Sequence, residues 1–216
     1  MQGLDITQAL LALTLHVQQG FKQNKFTVAA MIDLEGAFDA VWRNGVLYKL
    51  HKLGIKGRLW LAIHSYFHNR FTRNKINSFT SDWIPTLLGV PQGSILAVIL
   101  FIIHVGDLAI DTNFNIKYAD DLYVLEQDYI LATAALNLQN ALLSVENWCN
   151  KWRMSCSQSK TEIMVFHPKI SHQTTVLFKG KPLKQVAVKR ALGIQLDQHL
   201  DFRAQVARFK SVTVIL

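Results

Sequence analysis

Apolar positions recur along this chain with two different periods. Leu10, Leu13, Val17 and Phe21 fall at helical spacing and predict an amphipathic helix over residues 4–21. Residues 26–32 form a short apolar run with β-branched content, expected as a buried strand that ends at Asp33. Residues 34–39 should turn the chain into a helix with Val46, Leu47, Leu50 and Leu53 on one face and Gly54 as its stop. A further helix is expected over 57–69, burying Leu59, Trp60, Ile63 and Phe67.

Residues 71–88 suggest two strands separated by the polar stretch 77–82. Residues 89–94 read as a loop, with Ser94 as N-cap of an apolar helix over 95–108. A hairpin follows in NIKYADDLYVLE, residues 115–126. Leu131, Ala134, Leu138, Leu142, Val145, Trp148 and Trp152 then mark one long helix. Strands are expected over 161–166, 175–178 (turning at Gly180) and 192–196, and a last helix begins near Phe202. Helices interleaved with a mainly antiparallel sheet make the chain α+β.

With half of its 216 residues apolar and 18% charged, the chain is expected to fold around a core. The most apolar run, 95–103, is about half of the roughly 20 residues a membrane span needs. No basic segment followed by an apolar one opens the sequence, so the expected location is intracellular, not secreted. Two cysteines, Cys149 and Cys156, make no disulfide framework and suit a reducing compartment. The net charge of +8 is unevenly spread: residues 151–216 carry 12 Lys/Arg against Glu162, Asp197 and Asp201. A basic surface beside an acidic site suits a polyanion that is held while something acts on it.

The adjacent Asp120 and Asp121 sit where the hairpin must bend. A solvated turn is the simplest reading of that stretch alone. Asp33, at a strand end, would be held rigidly by the ladder behind it. If its strand pairs beside the hairpin, three carboxylates converge, and their repulsion requires Lys, Arg or divalent cations nearby. Hard oxygen ligands in small number suit Mg²⁺. Two such ions, roughly 3.5–4 Å apart, would activate an attacking oxygen and stabilise a leaving one. Spacing alone does not bring Asp33 and Asp120 together. Cys149, Cys156, His167 and His172 lack zinc-finger spacing, and His64 and His68 lack the H-E-x-x-H pattern.

The segments MIDLEGAFDAVW (31–42), GVPQGSILAVILF (89–101) and YADDLYVL (118–125) resemble, in order and separation, motifs A, B and C of reverse transcriptases. The likeness is greatest to non-LTR retrotransposon enzymes of the jockey sort. It extends through SKTEIMVF (159–166) as motif D and ALGIQLDQHLDF (191–202) after the primer grip. The ordered set replaces the solvated-turn reading with a catalytic one. The resemblance implies a right-hand polymerase palm that copies RNA into DNA, taking an RNA template, a DNA primer and dNTPs, with no membrane partner. Asp33 and Asp120 would be the main ligands of two Mg²⁺ ions, or of Mn²⁺ in their place, with Asp121 more weakly engaged. Phe38 would exclude a ribose 2′-hydroxyl by volume. Gly89, Pro91, Gln92 and Gly93 would approach the nascent base pair, and Lys160 would give a proton to pyrophosphate. Lys179, Lys181, Lys184, Lys189 and Arg190 would follow the primer–template backbone.

The implied organisation is palm with a remnant of the fingers over 1–170, then the end of the palm and the start of a thumb over 171–216, in a retroelement ribonucleoprotein of nucleus or cytoplasm. Several positions depart from the family pattern: Ala97-Val98 for Ser-Pro, Gly106 for Asn, Ser157 for Asn, Ala191 for an aromatic, Phe202 for Trp and Gln205 for His. These departures, with fingers and thumb expected to be incomplete, leave a second reading: a catalytically silent remnant that at most binds nucleic acid. An RNA-copying RNA polymerase shares the palm, but such an enzyme must admit the 2′-hydroxyl that Phe38 would reject.

Overall fold

The computed structural model describes residues 5–109, 112–169 and 171–213. In chain order the elements begin with α1 (Ile6–Lys22), β1 (Phe26–Leu34), α2 (Arg43–Lys52) and α3 (Gly57–Phe67). Four two-residue strands follow, β2 (Phe71–Thr72), β3 (Lys75–Ile76), β4 (Phe79–Thr80) and β5 (Ile84–Pro85), then α4 (Ile95–Val105). After these come β6 (Phe114–Tyr118), β7 (Asp121–Asp128), α5 (Leu131–Trp152) and β8 (Cys156–Phe166). The last elements are β9 (Leu177–Phe178), β10 (Lys181–Pro182), β11 (Lys184–Gln185), β12 (Val188–Ala191), β13 (Ile194–Asp197) and α6 (Arg203–Thr213). This is the expected α+β class. Among the described residues, no helix is long and apolar enough to cross a membrane.

The chain divides into two compact units interleaved in sequence, one of residues 1–34, 109–148 and 156–216, the other of 35–108 and 149–155. The first is built on a five-stranded sheet in the order β11-β8-β1-β7-β6, antiparallel except where β11 runs parallel to β8. Strand alternation sends Ala29, Met31, Tyr123, Leu125, Met164 and Phe166 to one face. There they pack with Ala9, Leu13 and Val17 of α1 and with Leu192 and Leu196 around the β12–β13 hairpin. Val28, Ala30, Ile32, Leu122, Val124, Ile163 and Val165, pointing the other way, are equally buried. So β1 is apolar on both faces, as a central strand must be. Helix α1 opens on a capping box, Asp5 accepting from Gln8 N while the Gln8 side chain accepts from Asp5 N. It lies close to the sheet at Gly20, where a Cβ would meet the Thr27 and Gln127 side chains at 2.8 Å.

In the second unit, several elements differ from their sequence pattern. Residues 35–40 form turns, one closed by Ala40 N–H to the Gly36 carbonyl at 2.7 Å, and the helix begins only at Arg43. On α3, Ile63 and Phe67 are buried but Leu59 is exposed. Ser94 occupies the N-cap position of α4 without a side-chain hydrogen bond, and the helix stops at Val105. The two strands expected over 71–88 are a narrow ribbon of two short ladders, β2–β5 and β3–β4, with Asn77 in the left-handed region at its tip.

The strongest polar feature of this unit is the buried Arg43. Its guanidinium donates to the carbonyls of Gly89 (2.8 Å), Phe67 (3.0 Å), Thr86 (2.5 Å) and Leu88 (2.7 Å). One planar fork thus ties the end of α3 to the segment leading into the Gly89 loop. Replacing it leaves those carbonyls without their charged donor. Arg43→Met is expected to lower unfolding free energy by about 3 kcal/mol in urea titrations. Arg43→Lys should recover only part of this, since a single ammonium does not span the fork.

Two imidazoles are held neutral by the fold. Burial pushes His16, stacked on Phe114 at 3.8 Å, down to about 4. The fully buried His104 is also pushed down to about 4, by burial first and then by Lys49, with Asp107 opposing. In the unfolded chain each takes its proton near pH 6.5, so between these values the unfolded state binds more protons. Stability is therefore expected to fall as pH drops from about 6.5 towards 4, by on the order of 3 kcal/mol for His104 alone. Urea midpoints measured across that range check this, and His16→Phe should flatten the slope.

Candidate active site

The three candidate acids all belong to the sheet unit. Strand β1 lies between β7 and β8, and its pairing with β7 runs without interruption from Phe26↔Asp128 to Asp33↔Asp121. Asp33 and Asp121 are therefore direct cross-strand partners on one face, the face of Met31 and Tyr123. The hairpin closes at Tyr118↔Asp121, so the connecting turn is Ala119-Asp120 and Asp121 is already strand. Ala119 takes φ +52°, a left-handed conformation costly for a residue with a Cβ. Asp120 is exposed at this turn, and its carbonyl accepts from Leu34 N at 3.4 Å.

A bulge on the other side of β1 supplies the cation. Met31 pairs with Glu162 and Asp33 with Ser157, so Ile32 alone faces residues 158–161. Thr161 Oγ1 donates to the Ser157 carbonyl at 2.6 Å and holds the bulge together. Lys160, carried on it, places Nζ 3.3 Å from Asp33 Oδ2. A cleft of about 240 Å³ opens here, lined by Asp33, Asp121, Tyr123, Lys160, Lys189 and Arg190 with Met31 and Ile32.

Burial raises the Asp121 carboxyl above the usual carboxylate range. A hydrogen bond from the Tyr123 hydroxyl at 3.1 Å opposes the rise, Asp120 and Asp33 add to it, and Lys189 reduces it. Tyr123 in turn accepts from Leu192 N at 3.3 Å, which fixes its ring between strand and turn. Among the described residues no three His, Cys, Asp or Glu side chains form a ready-made metal cluster. The register pairs Asp33 with Asp121, while Asp120 sits beside them on the turn.

The basic residues of the last third are differently engaged. Glu162 receives Lys184 Nζ at 3.1 Å and Lys189 Nζ at 3.0 Å. Burial alone would raise the Glu162 carboxyl, but hydrogen bonds from these lysines hold it below the usual range. Lys189 also donates to the Lys160 carbonyl at 2.9 Å. Lys179 occupies the turn between β9 and β10, its ammonium donating to the Cys156 carbonyl at 2.7 Å and its N–H to Glu146 at 2.6 Å. Lys181 and Arg190 are exposed.

The remaining candidates gather in the second unit. Phe38 is half-buried and stacks on Phe101, centroids 4.5 Å apart. Its carbonyl accepts from Val90 N at 2.9 Å, and the Val41 carbonyl from Gly89 N at 2.8 Å. Gly89 has φ +80°, and a Cβ there would lie 2.8 Å from the Asp39 carbonyl oxygen, so the backbones meet only because it is glycine. The Gln92 amide donates to Asp39 at 3.1 Å, Pro91 lies between, and Gly93 has φ +87° with open space around it.

Sequence reading missed Tyr123 and Glu162. Strand alternation carries the signal for the first: a residue two beyond Asp121 must share its face. Glu162 gives no such sign, because its partners come from a strand and a hairpin elsewhere in the chain.

Comparison with known proteins places these features in a family. The profile of the family described as reverse transcriptase (RNA-dependent DNA polymerase) matches residues 5–196. The chain is 30% identical over 215 residues to a probable RNA-directed DNA polymerase from transposon BS of Drosophila melanogaster, covering 93% of this chain and 23% of that protein. It is 26% identical over 201 residues to the RNA-directed DNA polymerase from mobile element jockey of the same organism, covering 89% and 22%. The chain thus spans about a fifth of the length of these relatives. In three dimensions it is similar to an apo telomerase from Candida tropicalis truncated from its C-terminal domain, with a TM-score of 0.57 at 14% identity over 89% of this chain and 39% of that one. That likeness shows the fold, the palm of a right-hand polymerase. By the family match, which covers nearly its whole length, the chain belongs to the reverse transcriptase family, and the relatives it resembles are the polymerases of transposon BS and jockey.

Proposed function

We propose that this domain performs RNA-templated DNA synthesis, joining a dNTP to the 3′-hydroxyl of a DNA primer. The observation that carries this reading is the in-register pair Asp33 and Asp121 at one end of the sheet, with Asp120 on the adjoining turn. In the reaction a bond forms between the 3′-oxygen and the α-phosphorus. The bond from that phosphorus to pyrophosphate breaks, and the hydroxyl proton leaves.

The carboxylates fit a pair of divalent cations. They are hard oxygen donors, and burial with mutual repulsion leaves Asp121 short of positive charge. One or two carboxylates commonly suffice for Mg²⁺ when substrate phosphates complete its shell, so a three-ligand cluster is not required. Asp33, Asp120 and Asp121 would hold Mg²⁺, or Mn²⁺ in its place. Bound there, the ions would ease ionisation of the attacking hydroxyl and stabilise charge on the leaving oxygen.

The chain's own groups supply the rest. Tyr123 orients the Asp121 carboxylate, and Lys160, an exposed ammonium beside Asp33, can protonate the departing pyrophosphate. The Phe38 ring, braced by Phe101, excludes a 2′-hydroxyl by volume. Gly89 and Gly93 let the backbone approach a base pair, and the amide of Gln92, beside Pro91, can bond template or nucleotide. Lys181 and Arg190 meet the primer–template backbone, with Lys179, Lys184 and Lys189 shaping the same basic region. The setting we propose is a retroelement ribonucleoprotein inside the cell, with 1–170 as palm and fingers remnant and 171–216 as end of palm and start of thumb.

Primer extension on an RNA template tests this. Incorporation of dNTPs should require Mg²⁺, and Asp33→Asn or Asp120→Asn should each lower its rate by about 10³-fold or more. Incorporation that survives either change overturns the site. Salt-sensitive primer–template binding without extension in Mg²⁺ or Mn²⁺ would instead identify a silent binding module. Phe38→Ala should cut discrimination between dNTPs and rNTPs by about tenfold, read as the ratio of kcat/KM values.

A further inference from the structure

The ribbon over residues 70–86 contains features that the acid site does not use. Its pairs are Phe71↔Pro85 and Thr72↔Ile84 at the base, and Lys75↔Thr80 and Ile76↔Phe79 at the tip. Between the two ladders the register shifts by one, so Arg73 alone faces Asp82 and Trp83. Carried through residues 73–74 and 81–83, which lie outside both ladders, alternation assigns Phe71, Arg73, Lys75, Trp83 and Pro85 to one face. Two contacts agree with this assignment. The Arg73 guanidinium lies 4.4 Å from the Trp83 ring centroid, and Phe71, Trp83 and Asn69 line a single open cleft of about 490 Å³.

One face of a thin ribbon therefore alternates aromatic rings with cations, and its rings are open to solvent: Phe71 is 55% and Trp83 60% exposed. Single exposed apolar residues are ordinary, but a cluster of large rings is not. The charge decides what kind of partner fits. Residues 70–86 carry Arg70, Arg73 and Lys75 against Asp82 alone. A purely apolar partner would leave Arg73 and Lys75 desolvated without a counter-charge, whereas a phosphate backbone provides one. The flat rings need a ligand with an accessible π-face, which a single strand offers and a stacked duplex does not.

We infer that this face binds single-stranded nucleic acid, with bases stacking on Phe71 and Trp83 and phosphates held by Arg73 and Lys75. The assignment goes beyond the polymerase chemistry and uses none of its acids.

The test is fluorescence anisotropy of labelled oligo(dT) and oligo(rU), each of about 20 nucleotides and so longer than a typical single-strand site. It is run on the full chain in EDTA. Trp83→Ala and Phe71→Ala should each weaken binding at least about fivefold, and Trp83→Phe should retain most of it. Replacing Arg73 or Lys75 with Gln should reduce the slope of log affinity against log salt by about 0.7. The two oligonucleotides distinguish a strand-general site from one that needs the 2′-hydroxyl, and Trp83-dependent binding of either supports the inference. Since both rings are exposed, thermal unfolding of the variants should match that of the parent chain.

Oligonucleotide affinity unchanged in Trp83→Ala overturns the inference. So does self-association of the chain that Trp83→Ala abolishes while oligonucleotide affinity stays the same, because the face then belongs to a second copy. Loss of extension in Asp120→Asn with Trp83-dependent binding intact supports both readings. Absence of extension in the parent chain, with that binding intact, removes only the polymerase reading. Extension with Trp83-independent binding removes only this one.

Discussion

The antiparallel register between β1 and β7 is the constraint on which the sheet unit depends. It sets Asp33 opposite Asp121, and a slip of one residue would send one carboxylate to the opposite face. The same slip would turn Met31 and Ala29 away from α1 and expose their alternates. Apolar burial on both faces of β1 therefore holds the two carboxylates in register. The bulge opposite Ile32 brings Lys160 to the same end.

Electrostatics at that end are balanced locally. Asp33 has Lys160, Asp121 has the Tyr123 hydroxyl, and Glu162 takes both Lys184 and Lys189. The basic third of the chain is thus not a uniform positive surface. Several of its charges serve to place strands around the cleft, and Lys181 and Arg190 are among those facing solvent. The Asp121 carboxyl is raised by burial and by its acidic neighbours.

The second unit shows another way of fixing a loop. Arg43 gathers four carbonyls with one side chain, while Gly89 lets the backbone touch that of Asp39. Phe38 and the Gln92 loop are held by these contacts, not by a ladder. The ribbon of 70–86 has little such support and displays its aromatic and basic side chains outward.

Long periodic elements were legible in the sequence. The seven apolar positions from Leu131 to Trp152 marked α5, and the run before Asp33 marked β1, because burial on one or two faces leaves a direct imprint on residue type. The ordered motifs singled out Asp33, Asp120 and Asp121 as candidate acids, and the register brings the strand ends that carry them together. The sequence did not disclose the partner of Asp33. Cross-strand register is a property of two segments, and 86 residues lie between Asp33 and Asp120. Likewise the reach of Lys160 depends on a bulge, the Arg43 fork on carbonyls far along the chain, and the exposure of Trp83 on a ribbon too short for its period to be read. A local sequence encodes which side chains prefer to be buried and where the chain turns. Which distant groups then meet is decided only when the sheet closes, because that depends on the packing of every strand between them.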